Sequence, residues 1–292
     1  MSNRAERPEM NITNTFLSNL QVAASRRNKP YPYFPNTTLN EALGILPDDA
    51  PEGTIPHQNY WAIGRDGLVS VQIGDKTTNV PDAHTIEHVG FYEQIPFAAR
   101  YLENDLPLEE QAKLGLREVR EINGKAAAVY WLRRLEQNDE PLRLEQIIKE
   151  DGKEDRDIYV PDSKNLNPEK SNLRPDGQNI SYSRFITTTD RIVCKLSKSD
   201  IAEIVNACEM LYGHAELANI SELAIVQGVD KEINAIGKGN TTYRFKEVVG
   251  AQIASTCCFS DGLLMGRSSF YFSFDNAVTD AMAIPTVDDL GS

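Results

Sequence analysis

Apolar and polar positions alternate with a period of two along much of this chain, and only in a few stretches with the three-to-four spacing of a helix. Tyr60-Trp-Ala-Ile63 and Leu68-Val-Ser-Val-Gln-Ile73 read as two short strands joined by a tight Asp66-Gly67 turn. Residues 116–122 and 125–132 flank Asn123-Gly124, a pair that accepts the positive φ of a type I′ turn. They read as a hairpin in preference to a helix, although Ala126-Ala-Ala128 and Leu132-Arg-Arg-Leu135 have helix propensity. Further on, residues 180–188 and 191–196 are rich in β-branched and aromatic side chains and read as two strands. Residues 221–226 read as another strand, and residues 268–274 place Phe270, Phe272 and Phe274 on one side of a last one.

Helical spacing is clearest in residues 199–213. Ile201, Ile204, Val205, Cys208, Leu211 and Tyr212 share one face, Ser199 stands where a cap is needed, and Gly213 supplies the stop. A shorter amphipathic helix is expected within residues 11–24 (Ile12, Phe16, Leu17, Leu20, Ala24), and two helical turns within 142–148. Strands with a few packed helices define an α+β class, mainly antiparallel sheet. Seven of the 15 prolines fall in the first 60 residues, so residues 1–59 are expected to form a long extended arm. The body is expected in two parts, 60–135 and 180–292, separated by a charged excursion at 136–179 too polar to bury much of itself. No internal repeat is visible.

Charge and composition then narrow the chemistry. The chain has 292 residues, with 43 acidic against 30 basic side chains and a net charge of −13, and it shows no long basic run. Such a surface repels a phosphate backbone, so no specific nucleic-acid partner is expected. No apolar stretch approaches the roughly 18 residues of a membrane span, and the first residues lack an apolar signal segment, so a soluble chain kept in a cytoplasm is expected. The four cysteines form no Cys-x-x-Cys pair and are expected as reduced thiols, with the adjacent Cys257 and Cys258 buried by ordinary packing.

One motif carries a specific chemistry. His84-Thr-Ile-Glu-His88 matches H-x-x-E-H, in which two histidines one helical turn apart hold zinc and the glutamate activates water. A zinc-dependent hydrolase using His84, Glu87 and His88 is therefore the alternative reading. It requires a helix through residues 83–91 and a distant carboxylate ligand such as Glu154 or Glu169, while Pro81 and Gly90 leave little room for that helix. The glycines of Ile236-Gly-Lys-Gly-Asn-Thr-Thr242 lack phosphate-loop order and read as a turn around a solvated Lys238. His214 reads as a structural residue beyond a helix end, and Asp48-Asp49 and Asp288-Asp289 as solvated pairs. No residue is assigned a catalytic, cofactor-binding or metal-binding role, and no cofactor is expected.

Val89-Gly-Phe-Tyr-Glu-Gln-Ile-Pro-Phe-Ala-Ala-Arg-Tyr-Leu-Glu-Asn-Asp-Leu106 resembles a segment of a tailed-bacteriophage virion structural protein. The capped helix at 199–213 followed by His214-Ala-Glu-Leu-Ala-Asn-Ile-Ser-Glu-Leu-Ala-Ile225 resembles the same class. These two blocks cover at most about half of the chain and leave the arm and the charged excursion unmatched. The resemblance implies a noncatalytic virion component acting by oligomeric contacts at the neck, tail or baseplate, otherwise on the capsid surface. It implies copies of itself and other virion proteins as partners, synthesis in the host cytoplasm, and no membrane or small-molecule substrate.

Overall fold

The computed structural model describes residues 10–45, 52–136, 140–150, 153–166, 179–260 and 269–286. The strands run β1 (Met10–Asn14), β2 (His57–Arg65), β3 (Leu68–Ile73), β4 (Lys76–Pro81), β5 (Glu93–Ile95), β6 (Ala98–Tyr101), β7 (Leu114–Ile122) and β8 (Lys125–Arg134). They continue with β9 (Arg143–Glu150), β10 (Lys153–Ile158), β11 (Asn179–Leu196), β12 (Glu222–Ile236), β13 (Thr242–Phe259) and β14 (Phe270–Thr286). The helices are α1 (Phe16–Arg27), α2 (Leu39–Ala42), α3 (Leu108–Gln111), α4 (Ser163–Leu166) and α5 (Lys198–Tyr212). The class is thus α+β and mostly β, and every strand pairing with a resolved register is antiparallel. Among the described residues, no helix is long and apolar enough to cross a membrane.

The chain divides into two units, one of Met1–Leu135 with Cys194–Tyr271, the other of Glu136–Val193 with Phe272–Ser292. In the first unit an eight-stranded sheet has the order β1-β13-β12-β2-β8-β6, with β5 also on β2 and β7 also on β8; β3 and β4 form a separate pair. β12 and β13 are its longest strands, and their buried runs 222–228 and 247–259 read as near-continuous burial because both faces are covered. Trp61, Ile63, Ile95, Leu116, Leu132, Ile204 and Leu223 are among the buried side chains that fill the unit. Trp61 meets Phe97 edge to face at 4.9 Å.

The β7–β8 hairpin forms as its turn dictates, with Asn123 at φ 51° and Gly124 at φ 75°. α5 also forms, but its cap is Ser197 rather than Ser199. The Ser197 hydroxyl accepts from Asp200 N–H at 3.2 Å, and the Asp200 carboxylate accepts from Ser197 N–H at 2.7 Å, a reciprocal capping box. Gly213 closes the helix at φ 76°. Residues 237–241 are the connection between β12 and β13, as their glycines predict, with Lys238 exposed.

Several local expectations give way. Asp66, at φ 69°, does turn the chain, but β2 and β3 do not pair: β2 joins β12, β8 and β5, whereas β3 joins β4. The two strands expected at 180–188 and 191–196 are one strand, β11. Of residues 142–148, expected as helical turns, all but Leu142 lie in β9, because backbone pairing to β10 and β11 on both sides outweighs local propensity. The N-terminal segment is laid onto the sheet over its described part. β1 pairs with β13, α1 follows it, and Leu17, Tyr31, Leu39 and Asn40 are buried. Asn40 fixes the contact from its side chain, donating to Val248 O at 2.8 Å and accepting from Ala251 N–H at 2.8 Å.

The second unit is a four-stranded sheet of order β10-β9-β11-β14. The 136–179 excursion therefore carries β9, β10 and α4 within its described part.

Candidate functional site

Residues 82–92, the H-x-x-E-H segment, form an irregular loop in place of a helix. The two histidines are thus not stacked on one helical face. His84 is buried, whereas Glu87 and His88 are exposed, and His88 Nδ1 accepts from Thr85 N–H at 3.2 Å in a local turn. The N-terminal segment pins this loop: Asn11 Nδ2 donates to Pro81 O at 2.8 Å, Thr13 Oγ1 to His84 O at 3.0 Å, and Phe16 N–H to Ile86 O at 3.0 Å. These contacts hold the loop in its non-helical course, since the backbone groups a helix would pair internally are already engaged.

His84 is instead brought to Glu222, 138 residues away, with Nε2 at 2.5 Å from Oε1. The other carboxylate oxygen accepts from Tyr92 N–H at 3.2 Å. Glu222 is fully buried at the start of β12 and is the register partner of Cys258 on β13, so both side chains leave the same face of the sheet. One ligand atom each from His84, Glu222 and Cys258 lies within 4.8 Å of the other two. Burial raises the pKa of Glu222, opposed by its bond to His84. It also pushes the Cys258 thiol up to about 12, because a thiolate there would be stripped of water. Within the described residues, His84 Nδ1 is buried with no hydrogen-bond partner.

Two glycines close the wall around these groups. A Cβ at Gly64 would lie 2.6 Å from Phe91 Cδ1, 2.7 Å from Glu222 Oε2 and 3.0 Å from Glu93 O. A Cβ at Gly67 would lie 3.0 Å from Cys258 Sγ, and the Gly67 N–H donates to Ser221 Oγ at 3.1 Å. Gly64→Ala is therefore expected to destabilise the chain by about 1–3 kcal/mol through overpacking against backbone and a buried carboxylate. A shift of the urea midpoint at unchanged slope checks it; an unchanged midpoint would mean that the wall yields freely.

A second buried polar centre is structural. Leu116 holds a left-handed φ of 47°, and the N–H groups of Leu116 and Arg117 converge on the Glu247 carboxylate, with Arg117 N 3.2 Å from Oε2. The Arg117 guanidinium donates to Asp105 Oδ2 at 3.0 Å, Ile236 O at 2.8 Å and Tyr130 Oη at 3.2 Å, and Tyr130 Oη donates to Asp105 Oδ1 at 2.9 Å. A cleft of about 390 Å³ lies beside α5, but its Arg100 and Arg133 are already paired with Glu203 and Asp200, so it presents no free cation from these residues.

All four cysteines are buried free thiols, as the spacing predicts. His214 is exposed and 3.1 Å from Glu216. Glu154 is exposed on β10, where its partners are Arg156 and Lys149. Glu169, Asp48-Asp49 and Asp288-Asp289 lie outside the described residues. Glu222 and Glu247 went unmarked in the sequence. The available signal was a carboxylate set directly against an apolar run, Glu222-Leu-Ala-Ile-Val226 and Glu247-Val-Val249.

The second unit offers surface instead of enclosure. Among its described residues the buried side chains are Ile147, Thr187, Thr189 and Ile192. All six residues of β10 are exposed, and the first five of them, Lys153-Glu-Asp-Arg-Asp157, are charged. Apolar residues lie at the open end of the β9–β10 hairpin, where Leu142 is 67 % exposed, Ile158 81 % and Val160 70 %; Leu166 on α4 is likewise exposed.

Fold and surfaces together define a mainly antiparallel α+β protein with enclosed polar clusters in one unit and a thin, exposed sheet in the other. By sequence the chain belongs to a family of unknown function, DUF7208, whose model matches residues 1–285. No curated protein and no solved structure matches it.

Proposed function

We propose that this chain is a noncatalytic structural component of a tailed-bacteriophage virion, acting through contacts with copies of itself and with other virion proteins, at the neck, tail or baseplate or on the capsid surface. The observation that carries the assembly part of this reading is the sheet of the second unit. A four-stranded sheet whose buried described side chains include only two apolar ones has little hydrophobic stabilisation of its own, and a neighbouring subunit supplies what is missing. The charges of β10 guard that edge against indiscriminate strand pairing, while Leu142, Ile158 and Val160 beyond them stay available for a matched apolar surface. The virion part rests on the resemblance of residues 89–106 and 199–225. The irregular 82–92 loop, with Glu87 and His88 exposed, gives the zinc-hydrolase alternative no helix on which to build its ligand pair.

The test is light scattering and electron microscopy on the purified full chain, with mass spectrometry of purified phage particles. A discrete assembly is expected, lost in Ile158→Asp/Val160→Asp while circular dichroism stays unchanged, and peptides of the chain are expected in the particles. A monomer at every concentration, assembly indifferent to the double variant, or particles lacking the chain would overturn the reading.

A further inference from the structure

We propose that His84, Glu222 and Cys258 form a binding site for one thiophilic divalent cation, zinc by preference, which clamps the 82–92 loop to strands β12 and β13. Imidazole, carboxylate and thiolate are the three side-chain ligand types that zinc takes, and here each comes from a different element. The two on the sheet are held in register by the Glu222–Cys258 pairing; the third is held by the Asn11, Thr13 and Phe16 contacts to the loop.

The charges also fit. A neutral imidazole, one carboxylate and one thiolate carry two negative charges, so a divalent cation makes the buried cluster electrically neutral. Burying the two anions without it is far more costly. The His84 side chain is only 3 % exposed, yet Nδ1 has no partner among the described residues, which leaves the imidazole half-satisfied in a site that excludes bulk water.

Geometry asks for little movement. Tetrahedral zinc, with Zn–N of about 2.0 Å and Zn–S of about 2.3 Å, sets donor atoms about 3.5 Å apart. The present donors lie within 4.8 Å of one another, a closure in reach of small side-chain rotations. Gly64 and Gly67 fix the wall behind the carboxylate and the sulfur, so the donors can move inward but not apart. Binding releases the thiol proton, and affinity therefore rises with pH. This site does not use Glu87 or His88, and it is independent of the assembly reading, because a monomer would hold the cation equally well.

The experiment is metal analysis of the purified full chain by mass spectrometry, followed by titration of the chelator-treated, folded protein with cobalt(II). About one zinc per chain is expected, and on cobalt addition a thiolate-to-cobalt charge-transfer band in the near ultraviolet. Cys257→Ala is the control: its side chain leaves the opposite face of β13 from Cys258, and the band should persist. Cys258→Ala should abolish the band, and His84→Gln should weaken cobalt affinity at least about tenfold. No band in the folded wild-type chain together with negligible bound metal, or a band that survives Cys258→Ala, would overturn the site. The wild-type measurements decide the question even where a variant fails to fold.

Discussion

Replacing Arg117 by methionine is expected to destabilise the chain by about 3–5 kcal/mol, the usual cost of removing one partner from a buried ion pair. The Arg117 side chain is 3 % exposed, and Asp105, at 10 %, depends on it for charge compensation. Methionine keeps an unbranched apolar side chain in place, so the loss is that of the guanidinium, including its position over the Tyr130 and Tyr243 rings at 5.8 and 5.6 Å. What remains is a buried carboxylate with Tyr130 Oη and a local backbone N–H, and the Ile236 carbonyl without its donor. Urea unfolding at fixed protein concentration measures the effect. Asp105→Asn combined with Arg117→Met should recover part of it, because the stranded charge is gone. A single variant within about 1 kcal/mol of wild type would show the pair to be solvated and the network ornamental.

The pH profile of stability is the second large effect, and Glu247 sets its sign. Burial pushes this carboxyl from its ordinary 4.5 up to about 7, against the backbone N–H groups that favour its charged form. The folded chain then binds a proton that the unfolded chain has already released, so unfolding becomes easier as pH rises. The contribution is fully present below about 4.5, is lost as the pH climbs through about 7, and is flat above that. Its size is about 3 kcal/mol at the order-of-magnitude level, taking about 1.4 kcal/mol per pKa unit. Glu247→Gln should flatten the difference in urea midpoint between pH 5 and pH 8. A wild-type profile that rises over that interval to the same extent as the variant's would refute the assignment.

These two centres show where sequence reading stops. A charged residue beside an apolar run is ordinarily a strand end facing water, and Glu222 and Glu247 would be so in most chains. Here Glu222 lies between paired strands, opposite Cys258 on one side and Gly64 on the other, while Glu247 is closed over by the N–H groups of Leu116 and Arg117, and both are fully buried. The H-x-x-E-H segment erred in the opposite sense. Its spacing is right for a helix, but the loop's backbone groups are engaged by residues about 70 positions away, and only His84 is drawn inward.

By itself the sequence determined whatever rests on neighbouring residues. Asn123-Gly124 fixed the β7–β8 hairpin through its positive φ values, Gly213 fixed the end of α5, and the period-two alternation fixed a mostly β class. Tertiary structure alone decided which strands meet: that β2 passes over its sequence neighbour β3 to join β12, and that residues 143–148 extend where isolated propensity would coil them. Local signals act through the dihedrals of a few adjacent residues. Register between distant strands is chosen by the whole set of faces that must be buried at once, and the union of His84, Glu222 and Cys258 exists only after that choice is made.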